Sequence, residues 1–140
     1  MKRLFIIIYK GLISFTVMLF LFSNSATAQT NWIKYENNPV LDVGLPGEWD
    51  SWRVNHHDVY LDEDTLKMWY TGETGSPRHF KIGLATSTDG GITWVKRGDP
   101  VLTPTPGAWD SEEVGMPVVI FDDNIYKMWY WGGTISGVTT

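Results

Sequence analysis

Between residues 52 and 58 the sequence reads Trp52-Arg53-Val54-Asn55-His56-His57-Asp58, which crowds an indole, a guanidinium, an amide, two imidazoles and a carboxylate into one short run. A carboxylate placed like Asp58 can serve as a general base or stabilise developing positive charge. Trp52, and Trp131 further along, offer flat apolar faces on which a sugar ring can stack. Arg53, Asn55, His56 and His57 supply donors and acceptors suited to hydroxyl groups, and Arg78 and His79 could join them from a nearby loop. A metal site is the weaker alternative, because adjacent residues of a strand point to opposite faces and cannot ligate together. The same run also reads as a solvated loop end in which His and Asp bond each other.

These residues need a scaffold, and an internal repeat supplies it. Asn38-Pro39-Val40-Leu41 returns as Asp99-Pro100-Val101-Leu102, and Gly47-Glu48-Trp49-Asp50-Ser51 as Gly107-Ala108-Trp109-Asp110-Ser111. Lys67-Met68-Trp69-Tyr70 returns as Lys127-Met128-Trp129-Tyr130, with Gly72 matched by Gly132. The period is about 60 residues. Within it the pattern is that of strands: Val54 to Leu61, an acidic turn, Leu66 to Thr71, Phe80 to Ser87, a hairpin turn over Ser87–Gly91, and Ile92 to Lys96. No stretch after residue 28 sustains a helical period. Four short antiparallel strands per repeat describe a propeller blade, so the expected fold is all-β, with about one and a half blades. Trp32-Ile33-Lys34 resembles the last strand of a repeat, Trp94-Val95-Lys96, and is expected to act as a closing strand. The second repeat reaches only its second strand before Thr140, so the chain is expected to be the N-terminal piece of a longer protein.

Comparing the repeats separates scaffold from the rest. Asp50 and Asp110, and Asp62 and Asp122, are kept and read as turn residues, while Trp69 and Trp129, with Tyr70 and Tyr130, are kept and expected to pack between blades. Trp52 to Asp58 departs from its counterpart, Glu112-Glu113-Val114-Gly115-Met116-Pro117-Val118, and Asp58 stands where the second repeat has Val118. Function is expected where the repeats differ.

Residues 1–28 have a different character. Lys2 and Arg3 precede an apolar run, Leu4 to Phe22, and Ala26-Thr27-Ala28 makes a small-x-small site, so a signal peptide is expected, cleaved after Ala28. An uncleaved membrane anchor is the alternative. Residues 29–140 would form the mature domain, secreted or periplasmic. Its loss of Lys2, Arg3 and Lys10 takes the basic residues from 11 to 8 against 16 acidic ones, and the formal charge from −5 to −8. Such a chain is a poor partner for nucleic acid or anionic membranes. It has no cysteine, so its stability must come from packing rather than disulfides.

The runs NPVL…GEWDSW, KMWYTG, FKIGLATSTDGGITWVK and DPVL…GAWDS resemble the five-bladed propeller glycosidases. That group spans the arabinanase and β-xylosidase type (glycoside hydrolase family 43), the invertase and levanase type (family 32) and the mannosyl-phosphorylase type (family 130). The resemblance implies a five-bladed propeller and an enzyme cleaving oligo- or polysaccharides by hydrolysis or phosphorolysis, with no cofactor and no metal. It implies Asp58 as a catalytic carboxylate, with Trp52, Arg53, Asn55, His56, His57, Arg78 and Trp131 shaping the sugar subsite. The group often carries an acid before Pro on its inner strands, whereas this chain has His56-His57 and Met116-Pro117 there. A non-catalytic carbohydrate- or protein-binding propeller is therefore the alternative. Ser87-Thr88-Asp89-Gly90-Gly91-Ile92-Thr93-Trp94 also resembles the Asp-box of sialidase-type propellers, a structural turn without catalytic chemistry.

Overall fold

The computed structural model describes residues 31–134, so the expected signal segment lies outside the described residues. The described residues form six strands and no helix: β1 (Arg53–Asp62), β2 (Thr65–Glu73), β3 (Phe80–Ser87), β4 (Val95–Lys96), β5 (Glu113–Asp122) and β6 (Ile125–Gly133). β1 to β4 make a four-stranded antiparallel sheet in sequential order, and β5 pairs with β6 in a second sheet. No helix among the described residues is long and apolar enough to cross a membrane.

The hairpins follow from short local signals. Asp62 and Lys67 close the β1–β2 turn through an ion pair at 2.6 Å, and Asp122 and Lys127 pair in the same way at the β5–β6 turn. After β3, Asp89 gathers the chain around its carboxylate. It accepts from the amides of Ile92 (3.1 Å) and Thr93 (3.0 Å) and from the hydroxyls of Ser87 (2.7 Å) and Thr93 (2.6 Å). These donors hold the Asp89 carboxyl far below its usual range. They also shorten the fourth strand. Expected from Ile92, it begins only at Val95, because Ile92 and Thr93 have given their amides to Asp89 instead of to β3.

Alternation along β2 builds two different faces. On one face Tyr70 stacks on Trp49 at 5.7 Å, and its hydroxyl donates to Asp50, which also pairs with Lys96 at 2.7 Å. The second repeat copies this: Trp109 stacks on Tyr130 at 5.5 Å, and Tyr130 donates to Asp110. Glycine is required beneath each tryptophan, since a Cβ on Gly72 would lie 2.3 Å from Trp49 and one on Gly132 2.7 Å from Trp109. Tyr70 and Tyr130, expected to pack between blades, thus sit under the Gly-x-Trp-Asp-Ser turns, and Tyr130 also packs against the buried cluster that joins the sheets.

The other face of β2 carries Trp69, which meets the second sheet. Trp69, Ile82, Val114 and Val119 form the buried cluster, with Tyr60, Leu84, Leu102 and Met128 packed around it. Trp69 is 7% exposed, whereas its counterpart Trp129 is 57% exposed on the outer side of the second sheet. Among the described residues, Trp69 alone of the two equivalent tryptophans meets a second sheet.

Trp32-Ile33-Lys34, the expected closing strand, lies outside the strands formed by the described residues, and Trp32 and Ile33 are exposed.

Candidate functional site

β1 and β5 are both irregular near their starts. The β1–β2 register slips between Asn55 and His57, and the β5–β6 register slips between Gly115 and Val118. The extra residues, His56 and Met116, occupy equivalent places in the repeat and both have positive φ, 39° and 54°. A bulge bends its strand and re-aims the neighbouring side chains.

Thr71 joins the two bulges. Its hydroxyl donates to the carbonyl of His56 at 3.4 Å and accepts from the Met116 amide at 2.8 Å. Gly115 permits that approach, because a Cβ there would sit 3.0 Å from the Thr71 methyl.

Beside this junction lies a cleft of about 230 Å³ lined by Arg53, Asn55, His56 and Arg78 together with Thr71, Phe80, Gly115, Met116 and Trp131. Its aromatic wall is Phe80, whose ring meets Trp131 edge-on at 6.4 Å. The Arg78 guanidinium lies 4.8 Å above the Phe80 ring, a cation–π contact. Nδ1 of His56 is 2.9 Å from Oδ1 of Asn55, so the imidazole and amide of the first bulge are linked.

A buried carboxylate organises the charged side. Glu73, at the end of β2, stands opposite Arg53 across the ladder. Its Oε1 is 2.6 Å from Nε of Arg78 and its Oε2 is 3.5 Å from Nη1 of Arg53. The Glu73 side chain is 3% exposed, against 51% for Arg53 and 56% for Arg78. Burying a carboxylate this deeply requires compensating cations, and the two arginines provide them. Glu113, at the start of β5, is also drawn in. Burial raises its carboxyl above the ordinary value; Arg78 opposes that rise, while Glu112 and Glu73 reinforce it.

Five residues expected at a sugar subsite thus meet at one cleft: Arg53, Asn55, His56, Arg78 and Trp131. The other two, Trp52 and His57, and the expected catalytic carboxylate, Asp58, are placed differently. Trp52 is exposed beside Gly75, and its amide donates to the Glu73 carbonyl. His57 is exposed and pairs with Tyr70 in the ladder. Asp58 faces the second sheet, where its Oδ2 accepts from the Val119 amide at 2.6 Å. Thr71, Glu73 and Phe80 were not singled out from the sequence. The signal was present for two of them, since Thr71 stands opposite Trp131 in the repeat comparison and Glu73 opposite Gly133.

Among the described residues no group of three or more His, Asp and Glu could hold a metal ion. No protein-family model and no curated protein matches the chain.

Proposed function

We propose that this chain forms blades of an exported, carbohydrate-active β-propeller, and that the cleft between the two blades receives a sugar ring. The observation that carries the reading is the lining itself: an indole and a phenyl ring beside two guanidiniums, an amide and an imidazole, drawn from β1, β3, β6 and the loop before β3. Rings with apolar faces and polar rims are bound by aromatic walls and a few placed polar groups. The cleft of about 230 Å³ lies below the roughly 300–1,000 Å³ common for drug-sized ligands, which suits one ring of a longer chain. The four-stranded β1–β4 sheet, with a second sheet packed on its face, supports the propeller reading. Export rests on the apolar leader and its small-x-small site.

A binding role is favoured over a hydrolytic one by a second observation. Among the described residues that line the cleft there is no carboxylate, and Asp58 is engaged with Val119. Glycoside cleavage needs a pair of carboxyl groups flanking the bond. Titration of the full chain with neutral and acidic oligosaccharides, read by tryptophan fluorescence, tests the reading. A saturable change that Trp131→Ala abolishes supports it; no response to any glycan refutes it. A reducing-sugar assay on the same panel separates an enzyme from a binder.

A further inference from the structure

The cleft shows a ligand a charge that the protein as a whole does not carry. The chain is acidic, yet among the described residues the formally charged side chains lining the cleft are Arg53 and Arg78, with Glu113 near enough to act on Arg78 but outside the lining. Their counter-carboxylate, Glu73, is buried behind them, while both guanidiniums stay half exposed. Arg78 turns Nε to Glu73 at 2.6 Å, Arg53 Nη1 rests 3.5 Å from a Glu73 oxygen that accepts no hydrogen bond, and a guanidinium has further N–H donors in a planar fork. The arrangement belongs to the first repeat alone. At the equivalent ladder pair of the second repeat, Arg53 and Glu73 are replaced by Glu113 and Gly133, so the scaffold does not require the arginines.

Glu73 also fixes where the arginines sit. One salt-bridged carboxylate between two guanidiniums removes much of the rotamer freedom that long side chains otherwise lose on binding. The aromatic wall continues the design, because Arg78 rests on Phe80 and Phe80 meets Trp131.

Resting on the sugar-site reading above, we infer that the preferred ligand is an acidic sugar, whose ring lies against Trp131 and whose carboxylate is taken by Arg53 and Arg78. A planar carboxylate matches the fork of a guanidinium, and such charge-assisted pairs are about twice as strong as neutral hydrogen bonds. Glu73 is then a positioning residue that holds the arginines without touching the ligand.

The test is calorimetric titration of the full chain with a glucuronate-terminated oligosaccharide, its methyl ester and the neutral glucose counterpart. The acid is expected to bind roughly tenfold or more tighter than the ester, with the preference shrinking as salt is raised. Arg78→Gln, a change at an exposed loop position, is expected to bring acid and ester to within about twofold of each other. Retained folding of that variant is checked by its unfolding midpoint. Equal affinity for acid, ester and neutral sugar overturns the acidic preference and leaves the sugar site standing. An acid preference unchanged in Arg78→Gln and in Arg53→Gln overturns the assignment of the arginines. Binding to none of the three overturns both readings.

Discussion

Asp58 offers the sharpest test of how the two sheets are held together. Its carboxylate accepts from the backbone amide of Val119 at 2.6 Å, across the interface that buries Trp69, Val114 and Val119. Replacing Asp58 with Ala removes a charge-assisted bond and leaves the Val119 amide without its acceptor. Bonds to charged groups contribute about 1.5–3 kcal/mol, and Asp58 is only partly buried, so solvent screening places the cost near about 2 kcal/mol. Asp58→Asn keeps an acceptor oxygen in nearly the same place and gives up the charge alone, a cost of about 1 kcal/mol or less. Urea unfolding of the full chain, followed by tryptophan fluorescence, measures both changes, with an unchanged slope showing that the unfolding reaction is the same. An Ala variant within about 0.5 kcal/mol of the parent would refute the assignment of Asp58 to the interface. A Asn variant of normal stability that had lost turnover would instead mark Asp58 as a catalytic carboxylate.

Trp69→Ala is expected to cost about 3–5 kcal/mol, because a buried indole leaves a cavity, while Trp129→Ala at the equivalent exposed site should cost under about 1 kcal/mol; the same unfolding assay separates them. Gly72→Ala should destabilise the first sheet by about 1–3 kcal/mol through the Trp49 ring that its Cβ would strike, with near-UV circular dichroism reporting the displaced indole. The Asp89 carboxyl is held low by its donors, so its stabilising contribution is complete above its unfolded value of 3.8 and is lost only as pH falls below that value. Amide exchange of Ile92 and Thr93 should therefore stay slow at pH 4 and quicken in stronger acid. Glu113 has the opposite sign. Its carboxyl is raised above 4.5, mainly by burial, so its contribution is complete below 4.5 and declines as pH rises through the folded value. Glu113→Gln should flatten that part of the stability profile measured between pH 4 and 8.

Strands were legible because the repeat prints the same pattern twice, and because Asp-rich and Gly-rich turns mark where each strand stops. β3 begins at Phe80 and ends at Ser87, as the alternation predicts. The fourth strand was read too long, since spacing does not reveal that Asp89 diverts two amides. Half of the cleft was legible for a related reason: Arg53, Asn55, His56 and Trp131 all differ from their counterparts, and difference between repeats freed them from scaffold duty. Asp58 differs too, but its partner is a backbone amide 61 residues away. Backbone donors have no signature in the sequence, so a lone acid facing one is indistinguishable from an acid facing solvent. Trp69 and Trp129 show the converse limit, because identical residues in identical strands differ in burial according to which side another sheet occupies.

The two bonds that take up backbone amides across the sheet interface run one way, while Lys67 of the first sheet donates from Nζ to the Tyr126 hydroxyl of the second at 3.0 Å. The first sheet supplies the acceptors, Asp58 and the Thr71 hydroxyl, and the second supplies the amides of Val119 and Met116. At the positions equivalent to Asp58 and Thr71, the second sheet carries Val118 and Trp131, which can accept nothing. The repeats are therefore not interchangeable, as a socket is not interchangeable with its plug. Exchanging their order would strand two amides against hydrocarbon, and a unit stacked on the outer side of the second sheet would have to be held by exclusion of water from Val118, Ile120 and Trp129. Two copies of one repeat thus encode a polarity, in which each repeat carries the instruction for which neighbour it accepts.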